Sequence, residues 1–303
     1  MHGVSRLTNR QYAHDVLLYA KSLQELESMT ERVLEALKPI GLSLNTTKTK
    51  IIRCNVSEDD SSLNFVEIDG EFVKVLSDAD SHRYLGKLLC TSATERVVTE
   101  FRNRKRVAWA DFAKHNAVLL DHNVYLKLRL KYFATSIGSA ILFGTPVMPM
   151  TKVQLQEMDR IQRKMLRRTV GWRRVDDEPW NETMTPLNLR LGHGHALYYC
   201  QPWSMIFARS QWRYVLHIID AYPLLWARTM CKYNYNPQYD PESDHLPHRT
   251  AGRPRQRWDD NIHAFVWKTW PHYHGRHWFD ILSQHRLSNY DDEYVLFLAK
   301  ISE

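Results

Sequence analysis

Apolar and polar positions change their period along this chain, and the changes divide it. Polar Thr8-Asn9-Arg10-Gln11 lead through Tyr12-Ala13-His14-Asp15 into the apolar run Val16-Leu17-Leu18-Tyr19-Ala20. Residues 1–20 therefore read as a β-hairpin whose second strand, Val16 to Ala20, is buried. The period then turns helical. Leu23, Leu26, Met29, Val33, Leu37 and Ile40 predict a helix over 22–40. Ser22 suits its N-cap, Glu25 completes a capping box, and Gly41 suits the C-terminal cap. Leu42 to Leu44 and Lys50 to Val56 read as strands, and Glu58 to Ser62 as a polar loop. Phe65 to Val75 alternates about Asp69-Gly70, a pair that tolerates the positive φ angles of a tight hairpin turn.

From residue 93 the pattern is helical. Glu95 to Asp111 and Asn123 to Phe143 are candidate helices. Thr151 to Val170 is the clearest. There Leu155, Met158, Ile161, Met165 and Leu166 make an apolar stripe, and Arg160, Arg163, Lys164, Arg167 and Arg168 take the other side. After Trp172 come short helical pieces between turns, with a linker over residues 233–256 that is rich in Pro, Asn and Asp. The fold class is α+β. The expected domains are residues 1–90 (a small antiparallel sheet with one helix), 91–172 (helical) and 173–303 (an irregular helical tail rich in Trp, His and Arg).

Composition narrows the partner more than the fold. Of the 303 residues 44% are apolar, enough for a core. A net charge of +7 and a pI near 9.1 favour an anionic partner, nucleic acid first. Ten Trp and fifteen Tyr could stack on bases, although packing is their commoner use. Cys54, Cys90, Cys200 and Cys231 lie too far apart for a zinc ribbon or knuckle, which points to a reduced, intracellular protein of the nucleus or cytoplasm. No leader of basic then apolar residues opens the chain. No run of ~18 apolar residues suggests a membrane partner.

The motifs carry a resemblance. Tyr12-Ala13-His14-Asp15 with its apolar strand, the helix, Gly41-Leu42-Ser43-Leu44-Asn45 and Lys48-Thr49-Lys50 together resemble the palm of LINE-type (non-LTR) retrotransposon reverse transcriptases. Arg83-Tyr84-Leu85-Gly86 is similar to the strand after that palm. Lys131-Tyr132-Phe133, Leu142-Phe143-Gly144, Gln162 to Arg168 and Gly171-Trp172 resemble the stretch that follows the polymerase domain. Trp180-x-x-Thr183-Met184 and Gly252 to Ile262 are similar to segments nearer the polyprotein C-terminus. The matches keep their order over most of the chain. They imply a partial palm, a thumb-like helical region and descent from an RNA-directed DNA polymerase.

The family's chemistry needs clustered carboxylates that hold two Mg²⁺ ions ~3.5–4 Å apart. The resemblance implies that these come from an upstream strand and from an Asp pair at the hairpin tip. His14 stands where the first Asp belongs, so Asp15 is the one vestigial catalytic and metal-binding candidate. Imidazole is a poor magnesium ligand. The chain begins only eleven residues before the motif, which leads us to expect the upstream part of the palm to be missing. We therefore expect no cofactor and no polymerase activity of this chain alone. The uncovered sheet should then expose an apolar edge or face, with a tendency to associate.

Nucleic-acid contacts have other candidates. The family places a lysine near the incoming nucleotide, and Lys48 and Lys50 are its counterparts, or else solvated side chains. From Thr151 to Val175 eight Lys and Arg stand against two acids, so Arg160, Arg163, Lys164, Arg167 and Arg168 could track an RNA or DNA backbone. Arg253, Arg255 and Arg257 beside Trp258 could combine phosphate binding with stacking, or form an exposed basic linker. His193, His195 and Cys200 match no closed zinc pattern. Asp259-Asp260 and Asp291-Asp292 read as charge at helix N-termini. Three readings follow: an inactive fragment of a LINE-type reverse transcriptase, a non-enzymatic nucleic-acid binder derived from one, or a relic.

Overall fold

The computed structural model describes residues 8–53, 64–77, 80–171, 185, 200–220, 257–285 and 290–302. It divides into two compact units, Met1–Val98 and Thr99–Glu303.

The first unit opens with β1 (Asn9–Tyr12) and β2 (Asp15–Leu18), an antiparallel pair in which Tyr12 faces Asp15. The turn is therefore Ala13-His14, with Ala13 at φ +51°. No residue of β2 is buried, and Val16 is 44% exposed, which corrects the expectation of a buried strand. The hairpin is a two-stranded sheet of its own, in contact with the helix that follows it.

Helix α1 (Leu23–Leu37) starts as expected. Ser22 Oγ accepts from the Glu25 N–H at 3.2 Å, and Glu25 Oε2 accepts from the Lys21 N–H at 2.7 Å. A 3₁₀ turn over Lys38–Ile40 ends at Gly41, φ +73°. The buried face is narrower than predicted. It centres on Thr30 and Leu34 with Leu26 beside them, whereas Leu23 and Ile40 are exposed.

The sheet beneath consists of β3 (Lys50–Ile51), β4 (Phe65–Ile68) and β5 (Glu71–Val75) in the order β3-β5-β4. β4 and β5 are antiparallel, and Asp69 (φ +52°) and Gly70 (φ +78°) make the expected tight turn. β3 runs parallel to β5, so the sheet is mixed rather than purely antiparallel. Leu42 to Leu44 form no strand. Ile51, Val66, Ile68, Val73 and Val75 pack with Leu34 into a small core. Strand alternation puts Phe65 and Phe72 on the other face, 55% and 67% exposed. β6 (His82–Tyr84) and β7 (Lys87–Leu89) form a third hairpin across Leu85-Gly86, both at positive φ.

Helix α2 (Ala93–Lys114) runs into the second unit. There follow α3 (Asn116–Leu119), α4 (Leu126–Leu142), α5 (Lys152–Val170) and α6 (Trp203–Asp220). Helix α6 serves two cores. At its start Trp203 stacks on Phe133 of α4, centroids 5.8 Å apart. Its C-terminal half sends Trp212, Val215 and Ile218 into a cluster with α7 (Asp260–Thr269), α8 (Trp278–Leu282) and α9 (Asp291–Ser302). Three polar contacts tie that cluster together, while the buried Trp212 indole has no hydrogen-bond partner among the described residues. The Trp278 indole donates to Asp259 at 2.9 Å, Gln211 Nε2 to the Trp258 carbonyl, and the Tyr294 hydroxyl to Gln211 Oε1, both at 2.7 Å. Burial, with Asp259 adding to it, raises the Tyr294 pKa well above that of a free phenol. The described tryptophans thus serve packing: Trp203, Trp212 and Trp278 are fully buried.

Candidate functional site

Local rules account for both ends of α5. Thr151 and Gln154 form a reciprocal capping box, and Gly171 closes the helix at φ +97°. Leu155, Met158, Ile161, Met165 and Leu166 are all buried, as their stripe predicts. The two acids of the helix are engaged. Glu157 accepts from Lys105 at 2.7 Å. Asp159 accepts from the N–H of Ser204 at 2.9 Å and from its hydroxyl. Buried Gln162 accepts from the Trp203 N–H at 3.0 Å and donates to the Gln201 carbonyl at 2.8 Å. Side chains of α5 thus satisfy orphan donors at the start of α6.

What remains on the outer side is cationic. Arg160, Arg163 and Lys164 are exposed, and none has an ion-pair partner among the described residues. Arg168 is exposed, with its guanidinium carbon 5.4 Å from the ring centroid of Trp109 on α2. Arg167 departs from the expected stripe: it is half-buried, and its Nε is enclosed without a hydrogen-bond partner among the described residues. Side-chain burial, which sequence spacing does not reveal, removes it from the free face.

Arg129, buried in α4, anchors the C-terminal end of α5. Its Nη1 donates to the carbonyls of Thr169 (2.5 Å) and Leu119 (3.4 Å), and its Nε to that of Val124 (3.0 Å). A cation against the last carbonyls of a helix also complements its dipole. His122 packs on Gly171 so closely that a Cβ there would lie 2.6 Å from its ring. The 119–125 segment is therefore fixed beside the end of the basic helix. Nothing in the helical pattern announced that juxtaposition, nor Trp109 as a partner of Arg168.

The palm-like motif is laid out differently. His14 and Asp15 sit at the tip of the first hairpin, 94% and 46% exposed, with Nε2 and Oδ1 4.0 Å apart. Among the described residues no three His, Cys, Asp or Glu side chains converge to hold a metal. One exposed carboxylate beside an imidazole does not suit Mg²⁺, which wants several oxygen ligands. Lys48 is exposed, and Lys50 Nζ donates to the Thr47 carbonyl at 2.7 Å. Lys50 and Asp15 both act on His82. Burial lowers the His82 pKa, the Lys50 charge lowers it further, and Asp15 opposes both. His82 escaped the sequence reading because it lies just ahead of the Arg83-Tyr84-Leu85-Gly86 motif.

Of the C-terminal arginines, Arg257 is half-buried at the start of α7, its N–H donating to Asp260 at 2.8 Å. Arg253 and Arg255 lie outside the described residues, as do His193, His195 and the 233–256 linker. The Cys200 thiol is buried and donates to the Leu130 carbonyl at 3.3 Å. Burial pushes its pKa up to about 12, so it is a protonated packing group rather than a metal thiolate. Asp260 lies in the first turn of α7, and Asp291 and Asp292 in that of α9, where Arg213 and Arg209 pair with them at 3.9 and 3.1 Å. Among the described residues no helix is long and apolar enough to cross a membrane.

Comparison with known proteins adds one relative. The chain is 30% identical over 166 residues to F52C9.6 of Caenorhabditis elegans, an uncharacterized protein described as transposon-derived. The match covers 54% of this chain and 57% of that protein, so the chain spans little more than half of its relative. No family model matches, and no solved structure does. The similarity gives the chain a transposon-related origin.

Proposed function

We propose that this chain is part of a LINE-type reverse transcriptase, and that it binds RNA or DNA by the sugar-phosphate backbone along the outer side of α5. The observation that carries this reading is that Arg160, Arg163 and Lys164 are exposed and, among the described residues, unpaired while both acids of the helix are engaged. Cations held on a rigid helix suit a backbone whose charges repeat regularly, and they carry no information about base sequence. The order of the motifs and the transposon-derived relative support the polymerase ancestry. His14 in place of an acid, and the solitary exposed Asp15, support binding without polymerisation by this chain.

Fluorescence anisotropy with labelled RNA and DNA oligonucleotides of unrelated sequence tests the binding. The expected result is similar affinity across sequences at low salt, weakened in a variant carrying Arg160→Gln, Arg163→Gln and Lys164→Gln. No binding at low salt, or affinity unchanged in that variant, would refute the reading. Primer extension on an RNA template with Mg²⁺ or Mn²⁺ tests the other half. No product is expected, and extension that disappears in Asp15→Asn would contradict the proposal.

A further inference from the structure

The basic end of α5 adjoins a side chain that breaks a local rule. Tyr125 is the N-cap of α4. Helix starts favour Ser, Thr, Asp or Asn there, because a short polar side chain can accept from the first free N–H groups. Tyr125 makes no such bond, and its side chain is directed to solvent: the residue is 81% exposed. No ring contact holds it among the described residues. Leu128, one turn further on, is 54% exposed. A large aromatic group that neither caps nor packs adds nothing evident to folding, and such violations concentrate where a surface has another use.

Its backbone is fixed. The Arg129 guanidinium reaches both the Val124 carbonyl, in the peptide bond to Tyr125, and the Thr169 carbonyl of α5. Thr169 directly follows Arg167 and Arg168 in sequence. His122 on Gly171 is a second attachment of the same segment to the same helix end. Lys127 and Lys131 on α4 are exposed as well. A flat, exposed ring whose segment is tied to the C-terminal end of a basic helix offers the pairing that single-stranded nucleic acid exploits. The backbone follows the charges and an unpaired base stacks on the ring. A duplex keeps its bases stacked inside and has none to offer.

Resting on the reading that α5 binds the backbone, we propose that Tyr125 is a stacking platform for an unpaired base, so that the surface prefers single-stranded nucleic acid over duplex.

The test compares Tyr125→Ala and Tyr125→Trp with the unaltered chain, by anisotropy. The probes are a single-stranded oligonucleotide of about 16 nucleotides, the matching duplex, and the same strand with abasic positions. Tyr125→Ala should bind the single strand about tenfold more weakly, with duplex affinity and salt dependence unchanged. Tyr125→Trp should retain the affinity. The abasic strand should cost the unaltered chain a similar factor and cost Tyr125→Ala nothing further. Equal losses on single strand and duplex, or no loss at all, would overturn the stacking role. An unchanged affinity in Tyr125→Ala, with the α5 triple variant still weakened, would leave the α5 reading standing and point to a protein as the occupant of the Tyr125 and Leu128 surface. If the unaltered chain bound none of the probes, the α5 reading would fail first, and the stacking role with it.

Discussion

The strand unit and the helical unit treat their apolar residues in opposite ways. In the strand unit six residues, Leu34, Ile51, Val66, Ile68, Val73 and Val75, form the core, while Phe65 and Phe72 face outward. In the helical unit Trp203, Trp212, Trp278 and Tyr294 are enclosed, with the Trp278 indole donating to Asp259 and the Tyr294 hydroxyl to Gln211. Charge divides the units as well. A cleft of the strand unit is lined by Glu27, Glu31, Glu67 and Asp69, a setting that repels phosphate, whereas the free charges of α5 attract it. The motifs that resemble a polymerase palm begin in the strand unit, whereas the surface proposed to meet nucleic acid lies in the helical one. A resemblance in sequence and a surface of suitable charge are therefore separate observations in this chain.

The sharpest way to break this contrast is to damage each core. Trp278→Ala opens a cavity and leaves Asp259 without its indole donor, so it should cost the helical unit about 3–5 kcal/mol. Val73→Ala should cost the strand unit about 2 kcal/mol, because fewer methyl groups are lost from a smaller core. Urea denaturation followed by tryptophan fluorescence and by far-ultraviolet circular dichroism would resolve the two. Equal losses would contradict the picture of one deep and one thin core.

A smaller effect is expected on the outer face of the sheet. Replacing Phe65 and Phe72 with Thr removes exposed apolar area without opening a cavity. Stability should change by no more than about 0.5 kcal/mol for each. If this face drives self-association, light scattering will show less of it in the double variant. A large loss of stability would mean that the face is covered in solution.

The smallest effect is a pH dependence. Burial, followed by the Lys50 charge, depresses the His82 pKa in the folded state, so folding favours the neutral ring. Its contribution is intact above the unfolded value of 6.5. It is lost as pH falls from there towards the folded pKa. The strand unit should melt slightly lower on acidification through that window, and His82→Gln should flatten the trend. An identical trend in the variant would assign it to other groups.

Features decided within a turn or two were legible in the sequence. The Ser22 cap, the Asp69-Gly70 turn and the Leu/Met stripe of α5 rest on neighbours three or four positions apart. Features decided by distant partners were not. Val16 to Leu18 look like a buried strand, yet they belong to a two-stranded sheet of their own in which no residue is buried. Arg167 shares its helical side with Arg163 and Arg160 yet is partly enclosed. Arg129 reads as one more surface cation, but its three carbonyl partners lie 5, 10 and 40 residues away. Tyr125 acquires meaning only because Arg129 fixes its segment against α5.

If the outer side of α5 meets phosphates, binding must weaken with salt in proportion to the contacts made. Each phosphate contact releases counterions, so log K should fall linearly with log salt, by about 0.7 per contact on a single strand. Measured from about 50 to 200 mM salt, the variant with Arg160, Arg163 and Lys164 all changed to Gln should show a slope flatter by about 2 units. Gln keeps a helix propensity close to that of Arg and Lys, so circular dichroism should remain unchanged. A slope and affinity identical to those of the unaltered chain, with helicity intact, would show that α5 presents a solvated face and binds nothing.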